Sequence, residues 1–163
     1  MELFFDYITT SRGNFIIVFN DSGIYKILFP GVDAGKEYQH RKLPYSQFAD
    51  DLNRYLAGES VDWSKYPLDR SGYPSFTSAL LEQVRQIPCG RVSNYRDVAE
   101  KAGFPRSWRA AGQAVRVNRH PILVPCHRVI KADGSLGGFS GPGDWKKELL
   151  KLEGAITSER GGG

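Results

Sequence analysis

Asn94-Tyr95-Arg96-Asp97-Val98-Ala99-Glu100-Lys101-Ala102-Gly103-Phe104-Pro105-Arg106-Ser107-Trp108-Arg109-Ala110-Ala111-Gly112-Gln113-Ala114-Val115-Arg116-Val117 reads as two short helices around one tight turn. Ser93 or Asn94 can cap the first, its side-chain oxygen accepting from an otherwise unsatisfied helix N–H. Val98 and Ala99 are its apolar residues, and Gly103 closes it. Gly103-Phe104-Pro105 is the turn, and the second helix runs roughly from Ser107 to Val117. Two short helices, a glycine-bearing turn and a basic second helix form the pattern of a helix-turn-helix. The same geometry also serves as plain packing in enzymes, so the charge around it has to decide.

Charge is uneven along the chain. The whole is mildly basic, with 22 Lys and Arg against 18 Asp and Glu, net +4. From Lys101 through Ala132, however, there is no acid, while Lys101, Arg106, Arg109, Arg116, Arg119, Arg128 and Lys131 are basic. A solvated surface mixes signs, so this stretch predicts one face directed at phosphates. On the second helix Ala110, Ala111, Gly112 and Ala114 add little bulk around Arg109 and Arg116. Such a face lets the backbone approach the narrow minor groove, with an arginine left to enter the base stack. Tight packing on a neighbouring helix would use the same residues.

Working outward, the first third alternates apolar and polar residues in bursts at Leu3 to Ile8, Phe15 to Phe19 and Ile24 to Phe29. Ser11-Arg12-Gly13 and Asn20-Asp21-Ser22-Gly23 break them, which predicts strands and tight turns in a small antiparallel sheet. Phe48, Leu52, Tyr55 and Leu56 recur at helical spacing and Gly58 stops them, so a helix covers that sheet. Ser64 to Gly72 lacks an apolar period and is read as a linker. The predicted division is therefore residues 1–70, a sheet-and-helix domain, and residues 71–163, a mostly helical domain, an α+β chain overall. Ser75 is expected to cap a helix carrying Phe76, Leu80, Leu81 and Val84. A last helix, Trp145 to Glu153, has Trp145, Leu149, Leu150 and Leu152 as its stripe.

With 163 residues, 40% of them hydrophobic, the chain can bury a core, which excludes wholesale disorder, collagen and coiled coils. Apolar runs fall far short of the ~20 residues of a membrane span. Acids in Met1-Glu2-Leu3-Phe4-Phe5-Asp6 are unlike a secretory signal, so a cytoplasmic location without membrane contact is expected. Cys89 and Cys126 are too few for a disulfide framework. Three histidines without CxxC or HxxxH spacing predict no metal site, and no cofactor is expected.

Any cysteine chemistry is then that of a single thiol. After Ile122-Leu123-Val124 comes Pro125-Cys126-His127-Arg128-Val129. A proline fixes the approach to the thiol and a nearby histidine can accept its proton. On an extended segment the two side chains would diverge, so contact needs a turn or a bridging water. An inert buried thiol is the other reading. Leu136-Gly137-Gly138-Phe139-Ser140-Gly141 is a glycine-rich loop without the GxxxxGK pattern of a triphosphate site. Glu153 sits at a helix C-terminus, where a carboxylate is electrostatically misplaced, so either a histidine or arginine holds it or it is an ordinary exposed acid.

Pro125-Cys126-His127-Arg128-Val129 resembles the active-site motif of the O6-alkylguanine-DNA alkyltransferases, also called methylated-DNA–protein-cysteine methyltransferases. The likeness extends over roughly residues 75 to 155: Ile87-Pro88-Cys89-Gly90-Arg91-Val92-Ser93-Asn94-Tyr95 resembles the segment carrying the pocket tyrosine. Arg109-Ala110-Ala111-Gly112 resembles the minor-groove helix with its arginine finger, Asn118 the hinge asparagine, and Leu150-Lys151-Leu152-Glu153-Gly154 the segment with the relay glutamate. Phe139 stands where many members carry tyrosine, zinc ligands of some members have no counterparts, and Trp108 before Arg109 has no assigned role.

The resemblance implies a ribonuclease-H-like first domain and a helix-turn-helix of the winged-helix kind. It implies repair by direct reversal on double-stranded DNA containing O6-alkylguanine, and O4-alkylthymine, by a monomer that flips the damaged base and is consumed. Cys126 would take the alkyl group, with His127 and Glu153 removing its proton through water and Tyr95 assisting the leaving guanine. Val129, Phe139, Ser140 and Asn118 would form the substrate pocket. Arg109, Ala110, Ala111, Gly112, Arg116 and Arg128 would meet the DNA. Two rivals remain, a cysteine hydrolase and a helix-turn-helix DNA-binding protein without transfer activity.

Overall fold

Three apolar-polar alternations form three strands, β1 (Phe4–Thr10), β2 (Gly13–Asn20) and β3 (Gly23–Leu28), in a computed structural model that describes residues 2–35 and 37–156. Residues 158–163, to which the sequence assigns no role, lie outside the described residues. The chain divides into two units, Met1–Ser71 and Gly72–Gly163. In the first, tight turns make β1–β2 and β2–β3 antiparallel hairpins, and Asn20 Oδ1 accepts from the N–H groups of Ser22 and Gly23. A fourth strand, β4 (Gln39–His40), pairs parallel with β1, giving the order β3-β2-β1-β4. The sheet is therefore mixed, where the sequence predicts an antiparallel one. Two polar residues carry no alternation to read. Their pairing is set by non-local bonds, Arg41 N to Phe5 O at 3.0 Å and Leu43 N to the Asp6 carboxylate at 2.9 Å.

Helix α1 (Phe48–Leu56) packs on β1 and buries Phe48, Leu52, Tyr55 and Leu56, as their spacing predicts. Part of the stretch read as a linker, with Trp63 before it, packs instead on this core. Trp63 and Tyr66 are buried with ring centroids 5.7 and 5.0 Å from that of Phe48. Ile24 N donates to Pro67 O and Asp69 N to Ile24 O, and buried Asp69 accepts from Asn20 Nδ2 at 2.6 Å. Gly23, at φ +145°, permits this approach, because a Cβ there would lie 2.5 Å from the Pro67 carbonyl oxygen. The polar residues between Trp63 and Tyr66 masked two aromatic anchors.

The second unit holds α2 (Ser75–Arg85), α3 (Tyr95–Lys101), α4 (Trp108–Arg116) and α5 (Trp145–Leu152), with β5 (Ser93–Asn94) parallel to β6 (Val129–Ile130). Asn94 caps α3 by accepting from Asp97 N at 2.9 Å. Ser75 is no cap; it is the first helical residue and Pro74 precedes it. Ala111, Ala114 and Val115 turn inward on α4, which packs on α2 and α3. The buried face of α5 is Lys146, Leu149 and Leu150, whereas Trp145 and Leu152 of the predicted stripe are half-buried. The fold is α+β. No described helix is long and apolar enough to cross a membrane.

Candidate active site

The end of α4 is tied to the segment that carries Cys126. Asn118, buried, donates from Nδ2 to Val124 O at 2.9 Å and accepts from His120 N at 3.0 Å. Ile122 between them adopts φ +75°, a strained conformation for a β-branched residue, held because Ile122 and Leu123 are buried. Asn118 thus braces the backbone. Predicted in the substrate pocket, it is instead buried with both ends of its amide bonded to backbone.

Cys126, His127 and Arg128 form one 3-10 turn rather than an extended segment. Cys126 is fully buried, its Sγ 3.3 Å from Ser140 Oγ. His127 Nε2 lies 2.7 Å from Glu153 Oε2, with both side chains at most 1% exposed. Glu153 also takes two bonds at 2.8 Å from Arg128, whose third donor reaches Ile87 O at 2.7 Å. The glutamate at the helix end is therefore the buried hub of a cluster, not an exposed acid. Burial favours its neutral form, but the His127 and Arg128 bonds and charges outweigh that and hold the carboxyl well below the usual carboxylate range. Burial pushes His127 below the ordinary imidazole value, with Glu153 opposing, so the ring is neutral near pH 7. Its Nε2 is engaged by Glu153, which leaves buried Nδ1 as the nitrogen for proton exchange. Arg128 is corrected from the DNA-contacting set: it is 8% exposed and its guanidinium is committed to Glu153 and Ile87.

Pairing of β5 with β6 sets Tyr95, the first residue of α3, beside the strand that follows Cys126. A Cβ on Gly112 would lie 3.9 Å from the Tyr95 ring. One on Gly137, at φ +75°, would lie 2.7 Å from its hydroxyl, so glycine is required on the loop side. The Tyr95 hydroxyl donates to Gly138 O at 3.4 Å, and burial raises its pKa, keeping it a proton donor. Tyr95, Trp108, Arg109, Gly112, Arg116 and Gly138 line a cleft of about 570 Å³. Ala110 is exposed on α4, but Ala111 is fully buried against the other helices and is withdrawn from the predicted DNA-facing set. Phe139 lines a cleft of about 240 Å³ with Gly137 and Lys146.

Lys146 escaped the sequence reading. Buried, it donates to Val129 O at 2.6 Å and Gly138 O at 2.8 Å, fastening the glycine loop to β6. Burial lowers its pKa to about 8. Val129, whose carbonyl it holds, is itself fully buried. Its signal was position: Lys146 precedes Leu149 and Leu150 by three and four residues, on their face of the helix. Among the described residues no group of three or more His, Cys, Asp or Glu could hold a metal ion. A buried thiol followed in the chain by a neutral imidazole is suited to attack on an electrophilic carbon.

Residues 75–155 match the family model of the 6-O-methylguanine DNA methyltransferase, DNA binding domain. A methylated-DNA–protein-cysteine methyltransferase of Methanopyrus kandleri is 46% identical over 112 residues, 68% of this chain and 81% of the relative. The chain belongs to the methylated-DNA–protein-cysteine methyltransferase family. A second methyltransferase of that name, from Methanosarcina barkeri, is 32% identical over 157 residues, covering 93% of this chain and 97% of its own. In three dimensions the chain is similar to the Mycobacterium tuberculosis OGT crystallised in complex with DNA, with a TM-score of 0.80 at 28% identity over 95% of this chain and 94% of that one. As a methylated-DNA–protein-cysteine methyltransferase it repairs DNA by direct reversal, through alkyl transfer to a protein cysteine.

Proposed function

We propose that Cys126 is the alkyl acceptor, that O6-alkylguanine in double-stranded DNA, and O4-alkylthymine, is the substrate, and that each molecule reacts once. The observation that carries this is the buried Cys126 thiol next in the chain to a His127 imidazole held by Glu153. His127 takes the thiol proton through a water. The thiolate attacks the alkyl carbon, the bond from that carbon to O6 breaks, and its electron pair passes to the guanine. Tyr95 donates to purine N3 and Ser140 faces O6. The backbone carbonyls of Cys126 and Val129 read the exocyclic amine. The product is a thioether, which no group here hydrolyses.

The lesion reaches Cys126 by flipping, at a few kcal/mol for a badly paired base. α4 lies in the minor groove with Ala110 and Gly112 against it, Arg109 fills the vacated stack, and Lys101, Arg106, Arg116 and Lys131, all exposed, meet phosphates. In this reading α3 and α4 are the helix-turn-helix of a winged-helix unit, the first unit is ribonuclease-H-like, and the protein works as a cytoplasmic monomer. Incubation with O6-benzylguanine followed by mass spectrometry is expected to place one benzyl group on Cys126 and none on exposed Cys89. Cys126→Ser should abolish transfer and keep lesion binding. Guanine release beyond one equivalent would overturn the suicide reaction and favour a hydrolase.

A further inference from the structure

Trp108 is the residue that the family resemblance leaves without a part. It opens α4 and is 46% exposed, while Trp63, in the other unit, is 7% exposed. Trp108, Gly112 and Arg116 succeed one another at four-residue spacing, so they form one row along the helix. Arg109 and Gln113 form the next row, which faces away from buried Ala111, Ala114 and Val115, while the Trp108 row borders that buried stripe. Trp108 and Gly112 line the same cleft as Tyr95, with Trp108 about 6 Å farther along the helix axis than the glycine under the tyrosine ring. The Arg109 guanidinium carbon sits 5.1 Å from the Trp108 ring centroid, a cation stacked on an aromatic face. Trp108 is thus a large, nearly half-exposed ring in the cleft of Tyr95, on a helix face otherwise made of alanine, glycine, glutamine and arginine.

Resting on the reading of α4 as the minor-groove helix, we propose that Trp108 is a second wedge beside Arg109. When α4 enters the groove, the indole lies against the base pair flanking the gap, and Arg109 leaves the ring to fill it. An aromatic face stacks on any base, which suits a site that must act in every sequence context. Apolar side chains inserted at a base step are also how minor-groove proteins hold a duplex bent. The Trp108–Arg109 stack meanwhile keeps the guanidinium lifted from the helix surface before DNA arrives. Trp108 is thus a DNA-positioning residue, and a duplex carrying the lesion is the partner its chemistry fits.

The experiment compares wild type, Trp108→Ala and Trp108→Phe on a duplex containing O6-methylguanine and on free O6-benzylguanine. Trp108→Ala is expected to lower the ratio of duplex rate to free-base rate about tenfold, and Trp108→Phe to restore most of it. In a Cys126→Ser background, tryptophan emission should be quenched when the lesion duplex is added, and the quench should vanish with Trp108→Phe although the duplex still binds. An unchanged ratio in Trp108→Ala, an equal loss on both substrates, or a quench that survives Trp108→Phe overturns the wedge. If wild type takes no benzyl group on Cys126, the transfer reading fails by itself, and duplex affinity and the emission change still decide the part of Trp108.

Discussion

Lys146 is a buried cation in the Cys126 unit, and Glu153 holds His127, the next residue to Cys126. Below pH 8 the buried ammonium is mostly charged and favours a thiolate nearby; above it, that cation is lost. Lys146→Met should slow benzyl transfer at pH 7 about tenfold, the effect of ~1.4 kcal/mol of charge interaction. The wild-type rate should turn over near pH 8, whereas the Lys146→Met rate should keep rising; matching pH profiles would remove Lys146 from thiolate stabilisation. Acid acts through the other two groups. Burial lowers the His127 pKa, so below about pH 6.5 the unfolded chain binds a proton that the folded chain refuses, and stability falls as pH falls. The lowered Glu153 pKa adds a second loss below its ordinary value of 4.5. Melting temperature should drop between pH 7 and 5, and less so in His127→Gln. Cys126, His127 and Glu153 were singled out through the resemblance of their motifs, since their types alone left an inert thiol and an exposed acid open. Lys146 and Arg128 were not, since a lysine beside Trp145 and an arginine in an acid-free stretch look like solvated charge until burial is known.

At the scale of elements, α3 and α4 were read from local signals, a cap at Asn94 and a turn at Gly103, and such signals are sufficient where hydrogen bonds close within a few residues. What the sequence left out was non-local. β4 exists because Asp6 and Phe5 bind the backbone 35 or so residues on, and the supposed linker is held by Ile24. These elements divide the reaction into separable parts. Arg109→Ala removes the group that fills the gap, so repair of duplex should fall at least tenfold more than reaction with free O6-benzylguanine. Gly137→Ala adds a Cβ 2.7 Å from the Tyr95 hydroxyl at a φ of +75°, distorting the pocket that both substrates use. It should slow both to a similar extent. Rates on the two substrates for the two variants check the division, and a Gly137→Ala loss confined to duplex would mean the loop serves DNA binding and not the pocket.

For the whole molecule, the reaction consumes a thiol in a fully packed place. Cys126 and Val129 are 0% exposed and Ser140 stands 3.3 Å from the sulfur, so an added alkyl carbon has neighbours on every described side. Overpacking of a close-packed interior costs about 1–3 kcal/mol. Lys146, bonded to Val129 O beside this packed site, also bridges to Gly138 and fastens the glycine loop. For a chain of this size each kcal/mol moves the melting temperature roughly 2–4 °C, so benzylated protein should melt several degrees below the free form. Limited proteolysis should cut first at Gly137-Gly138, where the loop carries little side-chain packing of its own. Calorimetry of the two forms checks this, and an equal or higher melting temperature after complete alkylation would show that the pocket has room for the transferred group and that the spent protein is not marked by loss of stability.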